Sequence, residues 1–366
     1  MNIALFCPNW IGDVVMATPA MTALRRHFIG ARFVGIMKPY VAGVLEGGDW
    51  FDTRYFTQGK SWPTNMGSVA WNLRREQIDL AVLFPNSFRT ALTAWLGGCK
   101  RIVGFARDRR TWMLTDRLTS LRGPDGNFLP TPIIDDYNRL VEHLGCPWPG
   151  HRMTLHTTVA DEEHTDRIWQ QFAFGQDRRV IALNPGAAFG AAKHWPEAYF
   201  AVVARRWAEE AGADVLVLCG PNERDMARRI VAQAQHAHVH SLADAAVSLG
   251  LLKGCVRRAD LLITTDSGPR HFAAAFQKPV VTLFGPTHIP WTETYHPQAV
   301  HLQKPVSCGP CQLRVCPLDH RCMKDLTPDE VFQTSFQLWE QSIGARPGGF
   351  TTSGRGLRPD HFRKAC

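Results

Sequence analysis

The chain has 366 residues, 45% of them apolar, which is enough for two domains with separate cores. Its formal net charge of +8 suits a partner that carries phosphate, whether a nucleotide, an anionic lipid headgroup or nucleic acid, although solubility alone also accounts for it. No apolar run reaches membrane-spanning length, and ten cysteines in so long a chain, six of them scattered, exclude a secreted disulfide scaffold.

The start of the chain lacks the basic residues of a signal peptide and reads as a strand over Ile3 to Phe6, so a cytoplasmic protein is expected. A helix over Met16 to Phe28 follows, then strands over Phe33 to Met37 and Leu80 to Phe84, which is βαβ material. Asp13 ends the loop after the first strand. It is either a general base in a cleft or the cap of the helix that begins at Val14. A carboxylate is repelled by a diphosphate, so a functional Asp13 addresses a hydroxyl. From Lys100 to Arg122 seven basic residues are interleaved with Phe105 and Trp112. Such a run suits a phosphorylated acceptor or an anionic membrane face, or is a solvated surface; no recognised module accompanies it, which argues against nucleic acid.

A turn at Pro147 to His151 and a helix over Asp161 to Phe172 lead into a second α/β set. It comprises a strand over Val180 to Asn184, a helix over Glu197 to Gly212, a strand over Val215 to Cys219 and a helix over Glu223 to Gln235. The expected fold is therefore α/β, with two Rossmann-like doubly wound domains, 1–160 and 161–343, facing a central cleft. The small residues of Asn184 to Pro196 let a diphosphate approach the backbone, and Lys193 can neutralise a leaving group or is simply exposed. The loop is neither a Walker motif nor GxGxxG, so kinase and dehydrogenase readings lose support. Glu223 takes ribose hydroxyls or is an ordinary first-turn residue.

Ala259 to Pro286 reads as strand, polar turn, small-residue helix and strand, the last over Val280 to Phe284. Ser267 is expected to cap the helix with Pro269 in its first position, so that Gly268, the free backbone N–H groups and His271 one turn in face an anion. Asp266 caps the turn or binds sugar hydroxyls. Cys308, Cys311, Cys316 and Cys322 form a C-x2-C-x4-C-x5-C cluster with His320 nearby, consistent with structural zinc, an iron–sulfur centre or two disulfides. Thr327 to Glu330 reads as a capping box for a helix to about Ile343, and the Gly-, Pro- and Arg-rich remainder, 344–366, as a mobile basic tail.

Taken together, NWIGDVVMATPAM, PNSFRTALTAWLGG, GFARDRRTWMLTD, NPGAAFGAAKHWP, TTDSGPRHFAAA and KPVVTLFGPT resemble the ADP-heptose lipopolysaccharide heptosyltransferases of glycosyltransferase family 9, inverting enzymes of the GT-B class. The likeness spans about residues 1 to 340. It implies ADP-heptose as donor in the second domain, a lipid A-linked oligosaccharide acceptor in the first, and no metal or other cofactor for transfer. By position, Asp13 matches the family's base, Lys193 the lysine near the donor diphosphate, and Asp266, Ser267, Gly268 and His271 the D-[ST]-G-x-x-H donor segment. Glu223 is a further donor-site candidate. Asn86, Arg107, Arg109 and Arg110, within the two first-domain motifs, are the candidates for holding the acceptor. A monomer working at the inner face of the cytoplasmic membrane is expected. Competing readings are a nucleotide-sugar epimerase or hydrolase of the same architecture and, outside enzymes, a metal or redox sensor built on the cysteines.

Overall fold

The computed structural model describes residues 1–57, 62–124, 126, 128–175 and 177–344. Of the tail expected at 344–366, Gly344 ends the last helix and the rest lies outside the described residues. Short, almost wholly apolar runs make the central strands, as buried parallel strands require. In the first half β1 (Asn2–Phe6), β2 (Arg32–Met37), β3 (Thr53–Phe56), β4 (Leu80–Leu83), β5 (Arg101–Phe105) and β6 (Asp116–Leu118) pair in parallel in the order β3-β2-β1-β4-β5-β6. Ile3 stands opposite Phe33 on one side and Leu80 on the other, and all three are fully buried.

The second half repeats the plan. Its strands are β7 (Val180–Asn184), β8 (Asp214–Val217), β9 (Val239–Ser241), β10 (Leu261–Thr265), β11 (Val280–Phe284) and β12 (Ala299–Gln303), in the order β12-β11-β10-β7-β8-β9. Numbered from its own first strand, each sheet runs 3-2-1-4-5-6, the doubly wound order whose direction reverses beside the first strand. The reversal opens a crevice at the carboxyl ends of β1 and β4 in one half and of β7 and β10 in the other. This confirms the expected pair of Rossmann-like sheets.

Helices α1 (Ile11–Met16), α2 (Thr18–His27), α3 (Pro39–Leu45), α4 (Trp62–Arg75), α5 (Phe88–Leu96) and α6 (Ile133–His143) accompany the first sheet. The single helix expected over Met16 to Phe28 starts five residues earlier and is interrupted at Ala17. Pro19 has no N–H for the Val15 carbonyl, and the Thr18 hydroxyl donates to that oxygen instead, at 2.7 Å. Helices α7 (Val159–Gln171), α8 (Glu197–Glu209), α9 (Arg224–Ala234), α10 (Leu249–Arg258), α11 (Gly268–Ala275), α12 (Arg321–Lys324) and α13 (Pro328–Gly344) belong to the second half. Thr158 and Asp161 form a complete capping box at the start of α7.

Candidate active site

The two halves meet where α1 packs on α11. A Cβ on Gly12 would lie 2.5 Å from Cδ2 of His271, and one on Gly268 would lie 2.8 Å from Cγ2 of Ile11. The reciprocal glycines bring the first turns of the two helices, and everything they carry, to one seam.

Asp13 is the third residue of α1, whose N-cap is Trp10, so it is not the helix cap that the sequence allowed. Among the described residues no donor bonds its half-buried carboxylate. Burial, then the charge of Asp266, push its carboxyl up to about 6, against a smaller opposing pull from Lys193. Asp13 thus faces the second half's charged pair across the seam.

Lys193 sits in a helical turn, Ala191–Lys193, after β7, and reaches to the end of β10. Its Nζ donates to the Asp266 carboxylate at 2.5 Å and to the Asp266 carbonyl at 2.9 Å. Asp266 also accepts from the Thr287 hydroxyl at 2.7 Å and lies 3.5 Å from the Arg270 guanidinium. Burial raises its carboxyl, but the Arg270 and Lys193 charges outweigh that and hold it at about 2. Asp266 neither caps the turn nor offers free oxygens to a sugar here. It anchors Lys193, because two cations already share its carboxylate.

Ser267 is the N-cap of α11, yet its side chain makes no cap bond; it accepts from Asn184 Nδ2 at 2.8 Å and donates to the Thr265 carbonyl at 3.3 Å. Pro269 is the second helical residue, not the first. His271 does not face the anion site either. It is buried against Gly12, and burial followed by the Arg270 charge keeps it neutral, far below its usual range, while Arg270 Nε donates to its Nε2 at 3.2 Å.

Between the halves runs a cleft of about 730 Å³, lined by Ile11 and Tyr40 from the first and by Gly186, Glu223, Ser267 and Phe272 from the second. Val247, Leu249 and Leu252 give it an apolar wall. Glu223 is the N-cap residue of α9 and accepts from the Gly220 N–H at 2.7 Å; a Cβ on Gly186 would collide with its carboxylate. A larger, open concavity of about 1110 Å³ lies at the start of β2 beside Asp49 and Asp52. It sits at the amino ends of the strands, away from the crevice.

The acceptor candidates separate. Arg110 is fully buried, donating to the carbonyls of Phe105 at 3.0 Å and Pro85 at 2.5 Å and to Asn86 Oδ1 at 2.8 Å. It knits the loops after β4 and β5 together, with its guanidinium lowered to about 10 by desolvation, and is not free for an acceptor. Asn86 is half-buried in that network, Arg107 lies over the Phe128 ring at 4.1 Å, and Arg109 is exposed.

The four clustered cysteines and His320 line one small cavity of about 20 Å³, but all are free thiols. Among the described residues there is no disulfide, and no group of three metal-ligating side chains is placed to hold an ion. Instead the segment braces the Lys193 turn: Ala192 donates to the Arg314 carbonyl at 3.0 Å, and its own carbonyl lies 2.8 Å from His320 Nε2.

Sequence reasoning missed Asn184, Thr287, Tyr40, Gly12 and Arg270. Arg270 lies four residues after Asp266, but Asp266 precedes α11, so no helix-face spacing marks the pair. Tyr40 had no signal either; its hydroxyl bonds the Asn9 carbonyl, tying α3 to the loop after β1.

Two switch-point crevices facing one cleft, with no GxGxxG or Walker loop, match a known family. Its model, glycosyltransferase family 9 (heptosyltransferase), fits residues 66–321. The chain belongs to glycosyltransferase family 9. This family-9 transferase is 26% identical to lipooligosaccharide heptosyltransferase 2 of Campylobacter jejuni over 93% of its length and 99% of the relative's. It is 34% identical to lipopolysaccharide heptosyltransferase 1 of Pseudomonas aeruginosa, over 86% and 87%. The solved E. coli ADP-heptose lps heptosyltransferase II superposes with a TM-score of 0.74 at 22% identity, covering 93% of this chain and 99% of that one, which shows the shared GT-B fold. The family-9 transferase is thus an enzyme of heptose transfer in lipopolysaccharide core biosynthesis.

Proposed function

We propose that this transferase moves heptose from ADP-heptose, with inversion, to a hydroxyl of the inner-core heptose on a lipid A-linked acceptor. The observation that carries the reading is Asp13, a carboxylate without a hydrogen-bond partner among the described residues, raised to about 6 and set across the seam from the Lys193–Asp266 pair. Such a group is largely ionised at neutral pH yet basic enough to take a proton from an attacking sugar hydroxyl. The acceptor oxygen bonds to the anomeric carbon as the bond to the diphosphate breaks. Asp13 takes the hydroxyl proton, and the electron pair leaves on ADP.

Charge developing on ADP falls to Lys193 and to the N-terminus of α11, whose dipole favours an anion. Transfer through these groups calls for no added cofactor. Glu223 is suited to the ribose hydroxyls, and the wall of Val247, Leu252 and Phe272 to the adenine. A donor of this kind is the one for which the E. coli ADP-heptose heptosyltransferase II is named. A lipid-linked acceptor places the work at the inner face of the cytoplasmic membrane, with the protein as a peripheral monomer. No helix among the described residues is long and apolar enough to cross a membrane.

The test is incubation of the purified protein with ADP-heptose and acceptors truncated to successive inner-core lengths. Gain of one heptose by a heptose-terminated acceptor, with ADP release, is expected. Free heptose or an epimerised donor without acceptor, and no transfer, would overturn the reading.

A further inference from the structure

We propose that the outer face of α4, α5 and the turn Thr111–Met113 is the surface by which the protein lies on an anionic bilayer; the purpose of that contact rests on the lipid-linked acceptor above. Helix α5 is inverted relative to a water-facing helix. Its Ala91 and Ala94 are buried in the core, while Phe88 and Trp95, with the half-buried Leu92, occupy positions i, i+7 and i+4 on the outside. Trp112 packs edge-on against Trp95 with ring centroids 5.6 Å apart, and the two are 58% and 50% exposed. Trp71 of α4, also 58% exposed, carries the Arg75 guanidinium over its ring at 4.6 Å. Arg74 Nε donates to the Leu96 carbonyl at 2.7 Å, which sets the last turns of α4 and α5 side by side, with Trp71 one turn back along α4.

The charge around them is predominantly basic. On these segments Arg74, Arg75, Arg89 and Arg109 are exposed, whereas Lys100 and Arg101 are paired with Asp79 and Asp116 and Arg110 is buried. Indole rings with one polar edge settle at the boundary of hydrocarbon and water, and arginines beside them meet lipid phosphate. A second copy of the chain fits this face poorly, because a two-fold contact would set its arginines against each other. The face also continues into the site. Ser87, the N-cap of α5, follows Asn86 at the carboxyl end of β4, so a bilayer under α5 brings a lipid-linked acceptor to the mouth of the first half's crevice.

The experiment is flotation of the full-length protein with vesicles of phosphatidylcholine alone or mixed with phosphatidylglycerol, at low and high salt. Wild type is expected to float with the anionic vesicles only, less so at high salt. Trp95→Ser with Trp112→Ser, both at exposed positions, should cut bound protein by about tenfold. Arg75→Glu should weaken binding mainly at low salt. Transfer to a delipidated, soluble acceptor should be unchanged in both variants, which separates loss of docking from loss of the proposed reaction. Vesicle binding undiminished by the double substitution would sink the proposal, as would a wild-type dimer that the same substitutions turn into monomer without vesicle binding.

Discussion

Asp13 carries the strongest consequence at the scale of single residues. Its ordinary carboxyl value of 3.8 is raised in the fold to about 6, so its ionised form is disfavoured by burial and by Asp266. Two effects follow in opposite directions. Transfer needs the ionised base, so the rate should climb as pH rises through about 6 and level off above it. Stability behaves the other way: a carboxylate whose value is raised in the folded state favours folding only below its unfolded value, and that advantage is lost as pH rises through the folded one. Asp13→Asn should therefore abolish transfer, leave ADP affinity nearly unchanged, and raise stability by on the order of 2 kcal/mol at pH 7.5 with little gain at pH 3.5. Calorimetric ADP titration and thermal melts at the two pH values check this. An equal collapse of ADP binding would move Asp13 into the donor site.

Asp266 behaves differently although it lies close by. It holds Lys193 and Arg270 together in a buried site, so Asp266→Asn leaves two cations short of a counter-charge. The expected loss is about 3–5 kcal/mol of stability. Lys193→Ala removes one of those cations and should keep the fold while weakening donor affinity or slowing transfer. Wild-type kinetics in a folded Lys193→Ala protein would end its assignment.

At the scale of elements, the contact of α1 with α11 is set by glycine. Gly12→Ala puts a methyl 2.5 Å from the His271 ring, which is buried and unable to swing aside. The two helices must part by a few tenths of an ångström or more, displacing Asp13 relative to Lys193. A misplacement of that order in a reacting geometry costs up to about a hundredfold in rate. Hence kcat should fall steeply while ADP affinity, held almost wholly by the second half, stays near wild type; unchanged kcat would show that the seam is pliable.

The legibility of these elements in sequence follows their burial. Central strands such as Val180–Asn184 and Val280–Phe284 are read to the residue because each is a mainly apolar run with every residue buried. Edge strands β3 and β12 contain no buried residue, so no such run marks them. The strand Arg101–Phe105 is hidden inside a basic stretch, its buried Ile102 to Phe105 masked by flanking arginines. The same stretch misled at the site: a fully buried Arg110 and an exposed Arg109 are neighbours in sequence, and only the loop carbonyls of Pro85 and Phe105 distinguish them. Asp13, Lys193 and Asp266 were legible as carboxyl-end residues of β1, β7 and β10. Their convergence was not, because it depends on how two separate sheets dock.

That docking is the property of the whole molecule. Besides the glycine seam, the halves are pinned by Lys253 of α10, which is fully buried and points into the first half. Its ammonium donates to the carbonyls of Glu46 at 2.9 Å and His156 at 2.7 Å, with Val44 at 3.4 Å. Two of these carbonyls lie at the end of α3, where helix geometry leaves oxygens without partners. Asp161 stands 4.0 Å away, and burial lowers the lysine from its usual range. Helix α3 also carries Tyr40, whose hydroxyl holds the Asn9 carbonyl in the loop ahead of Asp13. Lys253 thus links the register of the two sheets to the placement of the base. Lys253→Met fills similar volume but supplies no donor, so these buried carbonyls go unsatisfied, a loss of on the order of 3 kcal/mol. The melting temperature should fall, and transfer should slow more than donor affinity weakens, because the donor pocket lies almost wholly in the second half. If Lys253→Met melts and turns over like wild type, the halves are held in register by the glycine seam and not by this lysine.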